Sequence, residues 1–116
     1  MLSVTPAWRI WLYTEPTDMR RSFDGLSAMV RNHLLSDPSS GDWFVFINRR
    51  ATQIKVLAFE EGGYCVWSKR LEQGQFATLG VAGSTKRSLS RTEFLALLEG
   101  VDVVIKRRRK RYQKVA

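Results

Sequence analysis

The stretch DPSSGDWFVFINRRATQIKVLAFEEGGYCVWSKRLEQGQF, Asp37 to Phe76, decides the fold, because it holds three strand-like runs and the turns between them. The runs Trp43 to Asn48, Gln53 to Phe59 and Tyr64 to Leu71 are rich in Val, Ile, Phe, Tyr or Trp, and turn residues bound each of them. They read as an antiparallel meander. Asn48, Arg49 and Arg50 fill its first connection, and Lys69 and Arg70 end its last strand. Both basic clusters are therefore expected at one end of the sheet, where an anion would meet them. Trp43, Tyr64, Trp67 and Phe76 stand among these cations. Strands this apolar must bury a face, which assigns most of the aromatics to packing, with base stacking as the alternative.

Outside this stretch the chain supplies a first strand and two helices. In Ala7 to Thr14, Trp8, Ile10 and Leu12 fall on one face and Arg9, Trp11 and Tyr13 on the other, the alternation of a strand. Pro16 stops it. Thr17 or Asp18 then caps a helix whose apolar stripe is Met19, Phe23, Leu26, Val30 and His33 or Leu34. Gly25 within that helix costs about 1 kcal/mol relative to alanine, so close approach to a strand is the suggested reason for it. After Phe76 the segment ATLGVAGSTKRS has no period and reads as a flexible crossing. Ser90 to Glu93 is a capping box, Leu89 can staple to Phe94, and Gly100 ends a helix of about nine residues. Val103 to Ile105 is read as a short edge strand.

The net charge of +8 is unevenly spread. All eleven acidic residues lie at or before Asp102, and twelve Lys and Arg up to Ile105 nearly balance them, whereas Lys106 to Ala116 carries seven cations and no acid. The run Lys106, Arg107, Arg108, Arg109, Lys110 and Arg111 is too charged to bury. It is expected to be disordered when free and to seek polyanions, or else simply to aid solubility. With all seven cations on phosphates, the salt slope of duplex binding would approach about −6. No apolar run approaches the roughly 20 residues of a membrane span, and the N-terminus lacks the pattern of a secretory signal. A cytoplasmic location follows, with association to the nucleoid as an option. Cys65, inside a strand, reads as a buried thiol and His33 as a solvated helix-end residue; no metal site is expected from them.

The chain is thus expected to be a single α+β domain over 1–105, followed by a disordered basic tail over 106–116. The domain would hold a mostly antiparallel sheet of about four strands, one long packed helix and a short C-terminal helix. Catalysis finds no support. Asp18 and Asp24 lie about 240° apart around one helix and do not converge, Glu60 and Glu61 sit in a turn, and there is no glycine-rich phosphate loop. Binding remains, and the Arg49–Arg50 turn is the part least explained by folding, being polar and able to grip an anion with two parallel bonds.

In order and spacing, TDMRRSFDG at Thr17 to Gly25, DPSSGDWFVFINRR, QIKVLAFEEGGYCVWSKRLEQGQF and LLEGVD at Leu97 to Asp102 resemble the small accessory protein, TnpB or Orf2-like, of bacterial insertion sequences of the insertion-sequence-66 type. Asp18, Met19, Arg20, Phe23, Asp24, Gly25, Arg49, Arg50, Lys69, Arg70 and Gly100 match that pattern. Ala51 stands where the family often has glycine, Phe59-Glu60 replaces a common Trp-Asp, and the usual Trp-Pro is absent at Ala77-Thr78; the first bears on the shape of the arginine loop. The resemblance implies a non-catalytic, cofactor-free accessory to transposition whose partners are the transposase of the same element and DNA, either element ends or any sequence. The expected nucleic-acid-binding residues are Arg49, Arg50, Lys55, Lys69 and Arg70 in the sheet and Lys106 to Arg111 in the tail. The alternative is an adaptor of the transposase that touches no DNA. Oligomeric state is not legible.

Overall fold

A computed structural model describes residues 9–77 and 84–99. Its elements in chain order are β1 (Ile10–Tyr13), α1 (Phe23–Asn32), β2 (Trp43–Ile47), β3 (Gln53–Glu60), β4 (Gly63–Arg70), β5 (Lys86–Leu89) and α2 (Arg91–Leu98). The strands form one sheet in the order β4-β3-β2-β1-β5. β2, β3 and β4 are the expected meander, with Val45 opposite Val56 and Val56 opposite Trp67. Glu61 and Gly62, both at positive φ, make the tight turn between β3 and β4. β1 lies parallel to β2, Ile10 beside Trp43. Parallel neighbours need a crossover, and α1 supplies it. β5 flanks β1 on the other side, antiparallel, with Leu89 opposite Ile10.

The architecture is α+β, with a five-strand mixed, mostly antiparallel sheet and two short helices, where the sequence suggested about four strands and one long helix. The differences have local causes. In KRSL of β5 only Leu89 enters the core, so nothing alternates to mark a strand inside the segment read as a crossing. α1 begins at Phe23 because Asp18 closes a turn ahead of it: its carboxylate accepts the Arg20 N–H at 2.9 Å and its carbonyl accepts the Arg21 N–H at 3.1 Å. Phe23, assigned to the apolar stripe, is consequently 47% exposed, while Met19 reaches the core from the turn.

The sheet separates two apolar layers. On one face Leu26, Met29, Val30 and Leu34 meet Phe44, Phe46 and Leu57. On the other, Val45, Ile47, Ile54 and Val56 meet Phe76, Phe94 and Leu97. β2 is covered on both sides, which is why its run WFVFI is unbroken rather than alternating. The aromatics take packing roles: Trp43 stands edge-on to Phe94 at 5.5 Å, Tyr64 edge-on to Phe59 at 5.0 Å, Phe76 is buried and Trp67 lies against the second layer. Cys65, expected to be buried, is only half-buried because β4 is an edge strand. His33 is exposed at the end of α1.

α2 opens with the expected capping box. Ser90 Oγ accepts the Glu93 N–H at 3.1 Å and Glu93 Oε1 accepts the Ser90 N–H at 2.9 Å. Gly100, the edge strand read at Val103 to Ile105 and the basic tail lie outside the described residues. No described helix is long and apolar enough to cross a membrane.

Candidate functional site

The β2–β3 connection is wired by its first residue. Asn48 Oδ1 accepts the N–H groups of Thr52 and Gln53 at 2.9 and 3.0 Å, and Asn48 Nδ2 donates to Thr52 Oγ1 at 3.1 Å. The Asn48 carbonyl accepts the Ala51 N–H at 3.0 Å, which leaves Arg49 and Arg50 exposed at the tip. Ala51 sits at φ 57°, the left-handed conformation that glycine adopts without strain, and its methyl is buried in the core. The turn therefore keeps the shape a glycine would give it. From behind, Gln75 Nε2 donates to the Arg50 carbonyl at 2.8 Å and the Phe76 N–H to the Ala51 carbonyl at 2.6 Å.

A second segment is fastened beside this turn. The Thr17 N–H donates to the Ile47 carbonyl at 2.9 Å, pinning Pro16 to Asp18 against the end of β2. Arg20 grips the Asp18 carboxylate through Nη2 at 2.7 Å and Nε at 3.1 Å. That side-chain bond, with the Arg20 backbone N–H, holds the Asp18 carboxyl down at about 2. Lys55 Nζ donates to the Arg21 carbonyl at 2.8 Å and straps the segment to β3. The Arg21 stem lies over Gly25: a Cβ added there would stand 3.2 Å from Arg21 Cβ and 3.3 Å from Arg21 Cγ. Gly25 thus makes room for an arginine of its own chain segment, not for a strand.

Between the two segments lies a cleft of about 390 Å³ lined by Pro16, Thr17, Asp18, Arg21, Met29 and Arg49. Arg20 holds Asp18 most closely and Arg21 adds a weaker electrostatic pull on it, so the cleft with its Arg20–Asp18 pair keeps a net positive charge from Arg21 and Arg49. Thr17 is 4% exposed, and its hydroxyl has no partner among the described residues. Guanidinium pairs of this kind grip oxyanions through parallel charge-assisted bonds. Among the described residues, no group of three or more His, Cys, Asp or Glu side chains comes together as a metal site would.

The described residues singled out from sequence divide into two groups. Arg49, Arg50 and Arg70 are exposed, and their guanidinium groups bond to no other described residue. Arg70 pairs across the sheet with Gln53, next to the Asn48 turn, so the basic clusters do share one end. Lys69 faces the other way, and its ammonium donates to the Leu98 carbonyl at 2.6 Å, closing the end of α2. Lys55 is the strap described above. Lys106 to Arg111 lie outside the described residues. Arg21 was not singled out, although Gly25 four residues later is the signal that its stem needs space.

Comparison with known proteins gives a consistent picture. The family model described as "IS66 Orf2 like protein" matches residues 8–108. An uncharacterized protein of Sinorhizobium fredii, y4jC, is 35% identical over 118 residues, covering 100% of each chain. A second uncharacterized protein of the same organism, y4hO, is 34% identical over 94 residues, 81% of each chain. No solved structure matches.

Proposed function

Since the chain belongs to the IS66 Orf2-like family of transposition accessory proteins, we propose that it serves its element by holding DNA phosphates at the turn end of the sheet, alongside the element's transposase. The observation that carries this reading is the group of guanidiniums of Arg49, Arg50 and Arg70, exposed at one end of the sheet and bonded to no other described residue. Arginines so placed on a braced hairpin position a nucleic-acid backbone without reading its sequence. The family is generally considered non-catalytic, which suits a holding role. The cations of Lys106 to Arg111 would add affinity that falls steeply with salt.

The test is fluorescence anisotropy of the full chain against salt, with element-end and scrambled duplexes. Replacing Arg49 and Arg50 together by alanine is expected to weaken binding and to make the salt slope shallower by about 2. Unchanged affinity and slope would remove the turn from this reading. A second reading, docking onto the transposase without DNA contact, draws on Leu35, which is 82% exposed at φ 51° just past α1. Under it the arginine variant binds DNA as before, while Leu35→Ser disrupts the complex with the transposase.

A further inference from the structure

We infer that the cleft between the Pro16–Arg21 segment and the Arg49 turn is a seat for a single phosphate monoester group, held between Arg21 and Arg49. This goes beyond a basic edge that attracts a backbone, and it rests on the reading that this end of the molecule meets DNA. The seat is concave, and about 390 Å³ is more than one phosphate needs, leaving room for part of the sugar that carries it. A strand end enters such a space more readily than the unbroken side of a duplex. A monoester carries between one and two negative charges near neutral pH, and the cleft offers two guanidiniums to meet them beside an Asp18 already held by Arg20. An internal phosphodiester carries only one.

Three details support a shaped seat rather than an accidental hollow. Arg21 is held from both ends, its carbonyl by Lys55 and its stem by the gap at Gly25, so its head starts from a fixed base. The acid in the lining, Asp18, is held by Arg20, which lessens the repulsion that a free carboxylate would exert on an incoming phosphate. The Thr17 hydroxyl is buried with no partner among the described residues, an arrangement that native folds rarely leave unexplained. Its oxygen has less than 1 Å² of accessible surface, so a phosphate oxygen in the cleft would meet it only after the Thr17 side chain rotates. Binding would then engage two guanidinium groups for which no hydrogen bond to another described residue is found.

The experiment titrates the full chain with two otherwise identical short duplexes, one 5′-phosphorylated and one 5′-hydroxyl, and separately with inorganic phosphate. Anisotropy gives affinity, and the Nε–H signals of Arg21 and Arg49 give the site. The phosphorylated duplex should bind about tenfold tighter at the same salt, the size expected of one charge-assisted hydrogen bond, and should shift both arginine signals. Arg21→Ala should abolish the preference. Arg21→Lys, which keeps the charge but not the planar fork, should retain only part of it. Gly25→Ala favours the helix and so keeps the fold, but it displaces the Arg21 stem and should also reduce the preference. Equal affinity for the two duplexes with still arginine signals would overturn the seat and leave the DNA reading standing. If neither duplex binds, the DNA reading fails, and inorganic phosphate decides the seat: saturable shifts of Arg21 and Arg49 would keep it as a site for free phosphate esters, and none would end it.

Discussion

Asp18 accepts the backbone N–H of Arg20 and both nitrogens of one edge of its guanidinium, and these bonds hold its carboxyl near 2, well below the usual 3.8. A depressed carboxyl contributes stability that is present above the unfolded value and is lost as pH falls through the folded one. The turn ahead of α1 should therefore persist at pH 4 and open only as pH approaches 2. Following the Asp18 side-chain carbon by NMR should give a midpoint near 2 in the native chain, and a midpoint back toward 3.8 in Arg20→Ala. A native midpoint near 3.8 would show that the Arg20 fork is not formed in solution. Asp18 also shows what sequence reading misses at this scale. Thr-Asp before an apolar run is a fair helix-start signal, yet an arginine two residues on offers the carboxylate a tighter local partner, and the helix starts later. Ser90 to Glu93 was legible because both partners of the capping box lie within one turn. Arg21 was not, because its place depends on a bond from Thr17 to Ile47, thirty positions along the chain.

At the scale of elements, the β2–β3 hairpin carries the arginines and is tied by the Asn48, Gln75 and Phe76 hydrogen bonds. Its weak point is Ala51, which is both left-handed and 4% exposed. Ala51→Val adds a β-branch at positive φ and volume to a filled site, so urea unfolding should show a loss of about 2–4 kcal/mol. Ala51→Gly should stay within about 1 kcal/mol of the native chain, since relief of the backbone is offset by loss of a buried methyl. A valine variant as stable as the native chain would mean that the turn relaxes to another shape, and the arginine positions with it. The meander itself was legible, because dense β-branched and aromatic runs between turn residues have few other readings. β5 was not: Lys86 and Arg87 remain partly exposed at the sheet edge, and pairing with β1 is imposed by the rest of the sheet rather than by its own pattern. Lys55 and Lys69, expected among the binding residues in the same runs, also serve the fold, one strapping Arg21 and the other closing α2. Charge alone does not separate a strut from a contact.

For the whole molecule, the mixed sheet joins two kinds of pairing. β2, β3 and β4 meet through short turns, whereas β1 reaches β2 through the α1 crossover and meets β5 from far down the chain. Contacts between distant segments form late, because the intervening chain must first be ordered. Native-state hydrogen exchange should accordingly show backbone amides of β2 and β3 opening at higher free energy than those pairing β1 with β5. Equal protection throughout would mean that the sheet opens as one unit. The crossover thereby times the appearance of the cleft. A chain that has built its meander but not yet docked β1 already displays Arg49 and Arg50 and the Ile47 and Lys55 contacts that Thr17 and Arg21 will use, while the segment carrying Thr17 and Arg21 is not yet held beside them by β1. On the proposed reading, a half-folded copy would still cling to a polyanion, and only a finished one would distinguish a strand's end from its middle.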